Sequence, residues 1–294
     1  MGRITPHLWY DREAREAAEL YVATFPDSRI TNVRTIHGTP SGDCDIVSFD
    51  LFGQPLQAIS AGPYFKFTPA VSFLVACATK EEVNEFWGVL SDGGMALMPL
   101  DSYPFSELYG WTTDKYGLSW QVMYVGDQKV QQRITPTLMF TREVCGRAEE
   151  AMNFYTSVFP GSQIRHVDRY GPGDEPEQEG TVKHGSFVLD GNELAAMDSI
   201  QAHDFGFNEA ISFMVMCSDQ EEIDRYWSEL SAVPEAEQCG WLKDKFGLSW
   251  QIVPDRLEQM MATASEEQMD RVTQAFLQMK KYDLAELERA YRGQ

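Results

Sequence analysis

Apolar and polar residues follow two different periods along the chain, and the order of these periods repeats. Ile4–Tyr10 is a short apolar run typical of a strand, and residues 12–24 place Ala, Leu and Tyr at helical spacing. Three strand-like runs follow at 29–36, 45–51 and 55–60, separated by turn residues. The pattern predicts a module of one strand, one helix and three strands.

The same order restarts after an aromatic loop at residues 61–69. Residues 70–77 are expected to form a strand, and Thr79-Lys-Glu-Glu82 is a capping box that opens a helix reaching about Leu90. Further strands are predicted near 96–100, 106–112 and 118–124. The first half of the chain therefore consists of two modules of the same kind.

The second half is a copy of the first. Gly110–Val122 returns 130 residues later as Gly240–Ile252, with nine of thirteen positions identical. The opening Ile4-Thr-Pro returns as Ile134-Thr-Pro. The copies differ by an insertion near residues 171–180 and a deletion after Leu230, both in loop-like sequence that tolerates length changes. A repeat of this length predicts two homologous domains.

The predicted boundaries follow from the repeat. The first domain spans 1–126, a polar linker spans 127–133, the second domain spans 134–254, and a helical extension spans 255–294. Apolar residues recur at helical spacing in the extension, including Met269, Val272, Phe276 and Met279. This stripe predicts packing against the chain's own body or a second subunit, and the alternative is a partner-binding face.

The charge and the cysteines narrow the class of protein. The net charge of −21 disfavours nucleic acid and anionic membrane surfaces as partners, and no apolar run is long enough to span a membrane. The five cysteines show no CxxC or Cys/His metal spacing, and Cys77 and Cys217 lie inside apolar runs. We therefore expect a cytoplasmic protein without disulfide bonds.

The module order and the repeated ending resemble the glyoxalase/bleomycin-resistance/dioxygenase proteins, the vicinal oxygen chelate (VOC) superfamily. Three motifs are similar to its PhnB-like branch, whose domain is called 3-demethylubiquinone-9 3-methyltransferase. They are Ile-Thr-Pro-x-Leu, Phe-Pro-x-Ser-x-Ile and Asp-Lys-Tyr/Phe-Gly-Leu-Ser-Trp-Gln. The resemblance covers about residues 4–125 and 134–254. It implies an α+β fold with two tandem domains, each built of two βαβββ modules that form an open eight-stranded cup, followed by the C-terminal helical extension.

The resemblance also implies where a metal would bind. Metal-dependent members use His, Gln and Glu from the first, fourth, fifth and eighth strands of a cup. The residues expected there are His7, Ser60, Ala70 and Gln121 in the first half, and Thr137, Asp198, Ala210 and Gln251 in the second. Neither half assembles three good ligands, so no metal and no cofactor are predicted. Methyl transfer is not supported either, because no GxGxxG opens a helix.

Two neighbouring residues of the repeated ending point to opposite faces of a strand. We expect Gln121 to point into the cup and Trp120 to pack outside against a helix, while Asp114 supports a turn. The cup residues then line an apolar pocket with few polar groups, or they simply fill the barrel as core. The candidate ligand-binding residues are His7, Trp9, Phe49, Ser60, Trp111, Gln121, Thr137, Phe187, Asp198 and Gln251.

Three functions are consistent with these residues. The favoured hypothesis is a metal-independent protein that binds a small, partly apolar molecule, by analogy with the bleomycin-resistance members. The alternative is a lyase, isomerase or dioxygenase with a degenerate metal site, so whether the chain is an enzyme stays open. A third is a scaffold that acts through the C-terminal helices. The two halves are expected to pack as an internal pseudo-dimer, and a homodimer is not excluded.

Overall fold

The computed structural model describes residues 3–294, so the first two residues of the predicted first domain lie outside it. It contains fifteen strands and seven α-helices in this range. The first half comprises β1 Ile4–Tyr10, α1 Ala14–Thr24, β2 Arg29–Thr39, β3 Gly42–Leu51, β4 Gln54–Ser60, β5 Val71–Cys77, α2 Lys80–Leu90, β6 Met95–Tyr103, β7 Ser106–Thr113 and β8 Ser119–Tyr124. The predicted α+β class and the module order are confirmed.

The second half and the extension follow. Their elements are β9 Ile134–Phe140, α3 Ala148–Val158, β10 Gln163–Arg169, β11 Val182–Leu189, β12 Asn192–Asp198, β13 Ile211–Cys217, α4 Gln220–Leu230, β14 Trp241–Lys243, β15 Ser249–Pro254, α5 Asp255–Thr263, α6 Glu266–Phe276 and α7 Leu284–Arg292. Within residues 3–294, no helix is long and apolar enough to cross a membrane.

The strands form two open sheets, and each sheet takes one module from each half of the chain. Sheet A has the order β14-β15-β13-β1-β4-β3-β2, and sheet B has the order β10-β11-β12-β9-β5-β8-β7-β6. The two modules of each sheet are joined by an antiparallel strand pair. In sheet A this pair is β1–β13, with His7 opposite Ser212, and in sheet B it is β5–β9, with Ser72 opposite Thr137. The expectation that each half closes its own cup is therefore wrong. The first module pairs with the fourth, and the second with the third.

Sheet A has seven strands instead of the eight that we predict. The deletion after Leu230 removes the strand that would correspond to β6, and a single 3-10 turn at Pro234–Ala236 stands in its place. The neighbouring strand β14 is reduced to three residues, Trp241–Lys243. The loss falls at the edge of the sheet, where a strand can be removed without unpairing another.

One face of each sheet packs against helices, and we call it the helix face. Leu8, Phe213 and Trp250 lie on the helix face of sheet A, Phe73 and Trp120 lie on that of sheet B, and all five belong to one buried cluster. Helices α1 and α2 meet between the sheets on one side, and α3 and α4 meet on the other. The two sheets thus share a single core between their helix faces.

The repeated Asp joins the two modules of each half. Asp114 Oδ2 accepts hydrogen bonds from the Tyr21 hydroxyl of α1 at 2.6 Å and from the Trp120 indole at 2.9 Å. Its other oxygen accepts from the backbone N–H groups of Tyr116 and Leu118, which closes the predicted turn. Asp244 repeats both side-chain bonds with Tyr155 and Trp250. Trp120 and Trp250 point away from the cups and are buried, which confirms the prediction that the Trp before each cup Gln packs on the opposite face of the sheet.

The opposite face of each sheet is the cup face, and we call the two hollows cup A and cup B. Helices α5–α7 pack on cup A, where Met260, Phe276 and Tyr282 belong to the same buried cluster as Ile46 and Met214 of the sheet. Of the alternatives for the extension, the structure shows packing against the chain's own body. The helices that contact sheet B, α2 and α3, lie on its helix face. The two cups therefore differ in what covers them.

Candidate functional site

Each cup has four side chains at one level, contributed by the four central strands. In cup A, His7 lies beside Gln57 on one side and Ser212 on the other, and Gln251 donates a hydrogen bond to Ser212 Oγ at 2.9 Å. We call these four residues ring A. The corresponding residues of cup B, which we call ring B, are Thr137, Ala195, Ser72 and Gln121. Ring A therefore carries four polar side chains and ring B three.

Ring B is held by a short chain of hydrogen bonds. The Tyr109 hydroxyl donates to Gln121 Oε1 at 2.7 Å, and Gln121 Nε2 donates to Ser72 Oγ at 2.7 Å. The Tyr109 side chain is almost fully buried, and this burial raises the pKa of its hydroxyl well above the ordinary value. The hydroxyl therefore stays protonated and fixes the orientation of the Gln121 amide.

Two walls of different character rise from ring B. On one side Trp111 donates its indole N–H to Ser119 Oγ at 2.8 Å, and Phe105 stacks on Tyr103 with ring centroids 5.7 Å apart. Phe105 is 61% exposed, although its edge also meets the Tyr109 ring. An aromatic side chain so exposed at the edge of a hollow is available for a ligand.

The other wall of cup B carries two imidazoles, His166 on the edge strand β10 and His184 on the neighbouring strand β11. His166 lies opposite Ser186, and Asp168 lies opposite His184, so all four share the cup face. His184 is exposed, and its pKa is lowered by desolvation and by the charge of His166, whereas the charge of Asp168 opposes this shift. His184 is therefore neutral near pH 7 and able to accept a proton or a hydrogen bond.

Cup A is more polar at its floor and more closed above it. His7 is 3% exposed, and its Nδ1 is buried without a hydrogen-bond partner. Desolvation lowers the pKa of His7 to about 3. Trp241 packs edge-on against His7 and against Trp9, with ring centroids 5.6 and 5.9 Å apart. The helices of the extension cover the remainder.

The structure divides six predicted ligand-binding residues between the two cups. His7, Trp9 and Gln251 lie on the cup face of sheet A, whereas Trp111, Gln121 and Thr137 lie on that of sheet B. Residues of one half, such as His7 and Gln121, are thus separated, because each cup draws on both halves.

The other four predicted residues lie on the helix face, so that prediction is wrong for them. The Ser60 hydroxyl accepts from the backbone N–H of Ala14 at 3.2 Å and supports the start of α1. Asp198 accepts from the backbone N–H groups of Gly146, Ala148 and Val182, which fixes the start of α3. Phe49 and Phe187 pack in the core beside the tyrosines of α1 and α3. The error is one of strand parity, because β4 and β12 present their odd-numbered residues to the cup.

Sequence reasoning missed several residues of the cups. Gln57, Ser72 and Ser212 complete the rings, and Tyr109 orients Gln121. The signal for Ser72 and Ser212 is present in the sequence, since they match each other between the two halves. Gln57 lies opposite His7 in the β1–β4 pair and therefore shares its face of the sheet, whereas Ser60 lies on the other face.

The repeats match a known family. The model of the 3-demethylubiquinone-9 3-methyltransferase family matches residues 2–123 and again residues 132–253. The chain belongs to this family. The predicted membership of the PhnB-like branch is thereby confirmed.

Solved structures of a PhnB protein and of a glyoxalase I are similar to part or most of this PhnB-like chain. A PhnB protein from Bacillus cereus is 36% identical, covers 41% of this chain and 98% of its own, and has a TM-score of 0.39. Glyoxalase I from Zea mays is 10% identical, covers 88% of this chain and 96% of its own, and has a TM-score of 0.52. The latter likeness supports the fold alone. No curated protein sequence matches this chain.

The donor sets of this PhnB-like protein do not fit the metal site of the VOC superfamily. Ring A offers one imidazole, two amides and a hydroxyl, and ring B offers one amide and two hydroxyls. Neither ring contains a carboxylate, which a divalent cation bound by oxygen and nitrogen ligands ordinarily has. The described residues contain no group of three or more His, Cys, Asp or Glu side chains placed to hold a metal ion.

The space between the two sheets is not a ligand site. A cavity of about 20 Å³ lies there, lined by Ile4, Phe73, Phe213 and their neighbours. That volume corresponds to roughly one water molecule. A hollow of about 350 Å³ lies outside the cups, at the surface between Arg3, Glu222 and Arg225. Its lining is largely charged, so the cups are the more suitable places for a partly apolar molecule.

Burial of His7 predicts a pH dependence of stability. The folded pKa of about 3 lies below the ordinary value of 6.5, so only the unfolded chain takes up a proton between these values. Stability is therefore lost as pH falls through this window, by about 2 kcal/mol at pH 5 for this group. We expect His7→Gln to lose less stability than wild type between pH 7.5 and pH 5, measured by urea unfolding. Equal losses in both proteins would contradict the assigned environment of His7.

Proposed function

We propose that this PhnB-like protein binds a small, partly apolar molecule in cup B and that binding requires no metal. The observation that supports the proposal best is the difference between the cups. Cup A is covered by α5–α7, whereas the helices on sheet B lie on its other face. Cup B combines an aromatic wall with a few fixed polar groups, as small-molecule sites do.

The polar groups of ring B suit a neutral hydrogen-bonding group. Gln121 is already oriented by Tyr109 and Ser72, and Thr137 lies opposite Ser72. No lysine, arginine or carboxylate belongs to ring B. A charged ligand group would be desolvated there without a counter-charge, which is costly. The ligand is therefore expected to place an uncharged polar group at the floor.

The aromatic wall favours a flat ligand. Trp111 is held by its bond to Ser119, so its ring is already positioned, and Phe105 and Tyr103 extend the surface toward solvent. Preorganised side chains lose less conformational entropy on binding than mobile ones. A ring stacked on this wall would place its other edge toward His184.

An enzymatic function is the second candidate, and His184 is the observation that favours it. A neutral imidazole at the wall of a hollow has the protonation state of a general base near pH 7. Proton abstraction from a bound ligand needs no metal ion in principle. His184→Gln would then abolish turnover while it leaves binding nearly unchanged, and a ligand that is released chemically unaltered by wild type would remove this candidate.

The experiment for the binding function is a screen of neutral aromatic fragments by thermal shift, followed by calorimetry in the presence of EDTA. We expect Gln121→Leu to weaken the best hit at least about 10-fold, since it breaks the bond network of ring B. Gln251→Leu is the matched control, because it makes the same change at the repeat-equivalent position in cup A and should leave this affinity unchanged. Binding that disappears with EDTA and returns with a divalent metal would contradict the proposal.

A further inference from the structure

Three buried side-chain polar atoms of residues 3–294 lack a hydrogen-bond partner: one, Arg34 Nε, belongs to a guanidinium that is paired with Glu258 of α5, and the other two lie beside Trp241 in cup A. These two are His7 Nδ1 and the Ser249 hydroxyl oxygen. His7 is 3% exposed and Ser249 is fully buried. Each unpaired buried polar group lowers the stability of the fold, so the presence of two such atoms beside one side chain needs a physical explanation. Both have Trp241 as a neighbour: its ring touches His7, and its strand β14 pairs with the strand of Ser249.

The other cup shows what the same Trp and Ser do when they are bonded. Trp111 lies opposite Gln121, and its indole N–H donates to Ser119 Oγ at 2.8 Å. Trp241 lies opposite Gln251 in the same register, and Ser249 corresponds to Ser119. Yet Ser249 has no partner, and the Trp241 ring leans on His7 and Trp9 instead. The equivalent side chains therefore occupy different positions in the two cups.

We propose that Trp241 is a gate over a second ligand site in cup A, and that this site takes the ring of a small neutral aromatic compound with a hydroxyl group. In the open state the indole turns away from His7 and donates its N–H to Ser249, as Trp111 donates to Ser119. The ligand ring then occupies the space beside Trp9 and His7. Its hydroxyl pairs with His7 Nδ1, so both unpaired atoms gain partners.

The chemistry of the surroundings selects this class of ligand. Ring A consists of amides, a hydroxyl and an imidazole, and the guanidinium of Arg34 on β2 is already paired with Glu258, so an ionic ligand group would find no free counter-charge. The ring space is bounded by Trp9, which meets Phe65 at 5.1 Å. Trp9, Phe65 and Trp241 are each half-buried and form the entrance, whereas α5–α7 cover Ile46 and Met214. A flat ring entering here needs only the movement of one side chain.

The gate can be tested with p-cresol as the probe, titrated into the full chain and followed by calorimetry and by the ¹⁵N signals of the histidine rings. We expect binding that shifts the His7 resonances and that weakens at least about 5-fold in His7→Leu, which loses the hydrogen bond. Trp241→Ala removes the gate and should tighten binding about 10-fold, still with a requirement for His7. A Trp241→Ala protein that binds p-cresol equally well with and without His7 would show a mere cavity and overturn the proposal.

Substitution of Ser249 distinguishes a Trp241 side chain that acts as a gate from one that only fills space. With Trp241 present, Ser249→Ala should weaken p-cresol binding about 3-fold or more, because the open indole loses its acceptor. In the Trp241→Ala background the same change should have no effect, and such non-additivity reports coupling between the two residues. Equal effects in both backgrounds, or no effect in either, would overturn the proposal. Ser119→Ala is the matched control in cup B and should leave His7-dependent binding unchanged.

The second site is independent of the binding function proposed for cup B. The titrations are therefore repeated in the Gln121→Leu background, where cup B is impaired. Persistence of the His7-dependent signal there supports the gate even if no ligand for cup B exists. Loss of that signal would assign the p-cresol binding to cup B and overturn the gate.

Discussion

Asp114→Ala is expected to lower the free energy of unfolding by about 4 kcal/mol, because it leaves buried donors without an acceptor. The donors are the Tyr21 hydroxyl, the Trp120 indole N–H and two backbone N–H groups of the turn. Desolvation raises the pKa of Asp114 despite these four bonds, so the ionised carboxylate is less stable in the folded protein than in water. The loss arises from the donors that remain, and urea unfolding measures it.

Two further variants make the result specific. Asp114→Asn keeps an oxygen for the backbone N–H groups but presents an NH₂ group to the Trp120 indole, so about half of the loss, roughly 2 kcal/mol, is expected. Asp101→Ala is the control, since Asp101 is exposed on β6 and should change stability by less than about 0.5 kcal/mol. A loss below about 1 kcal/mol for Asp114→Ala would mean that water replaces the carboxylate and that the junction contributes little.

This junction shows how much of the fold the sequence predicts. The turn, the inward Gln121 and the outward Trp120 all follow from the two-residue period of a strand and from Asx-turn chemistry. The hydrogen bond that the Tyr21 hydroxyl donates to Asp114 does not, because it joins residues 93 positions apart. Local patterns fix the elements, whereas a contact across two modules depends on how those modules pack.

The sequence does not predict which modules pair, and the cause is the repeat itself. Four similar modules present four similar first strands, so β1 can pair with β5 or with β13 at little difference in local preference. Here His7 faces Ser212, not Ser72. Specific contacts between distant residues support the observed choice, such as the two bonds between the Gln54 side chain and the backbone of Ile134. No periodicity in a single sequence reveals those contacts.

The candidate site was half predictable for the same reason. A cup-facing residue can be predicted where its neighbour on the strand is clearly a core residue. Gln121, which follows the buried Trp120, is such a case. Ser60 and Asp198 were misplaced because polar residues at strand ends look alike whether they bind a ligand or cap a helix. Their oxygens are occupied by backbone N–H groups of the following helices. Only the register of β4 and β12 decides between these roles.

The difference between the cups depends on the C-terminal extension, and one glycine is expected to control how it docks. Gly240 has a φ of 82°, and a Cβ there would lie 2.4 Å from Tyr282 Cε2 and 3.0 Å from the Ile252 oxygen. The backbone N–H groups of Cys239 and Gly240 donate to the carbonyls of Met279 and Lys280, so the extension is bonded at the same point. Gly240→Ala must therefore push Tyr282 and its neighbours away from sheet A.

We expect Gly240→Ala to cost about 3 kcal/mol or more, of which roughly 1–2 kcal/mol is the strain of a left-handed alanine. Gly247→Ala is a matched control, because Gly247 has a φ of 85° and no atom within 4 Å of its Cβ position. It should show the strain alone. The Cys239 thiol reports the local opening, since it donates a hydrogen bond to the backbone carbonyl of Phe276 in α6. Burial raises the pKa of this thiol to about 11. In a Cys145→Ser background, its labelling by a thiol reagent should accelerate at least about 10-fold in Gly240→Ala and little in Gly247→Ala. Equal labelling rates in the two variants would mean that Tyr282 yields without release of the extension, and that α5–α7 are held on cup A by their other contacts.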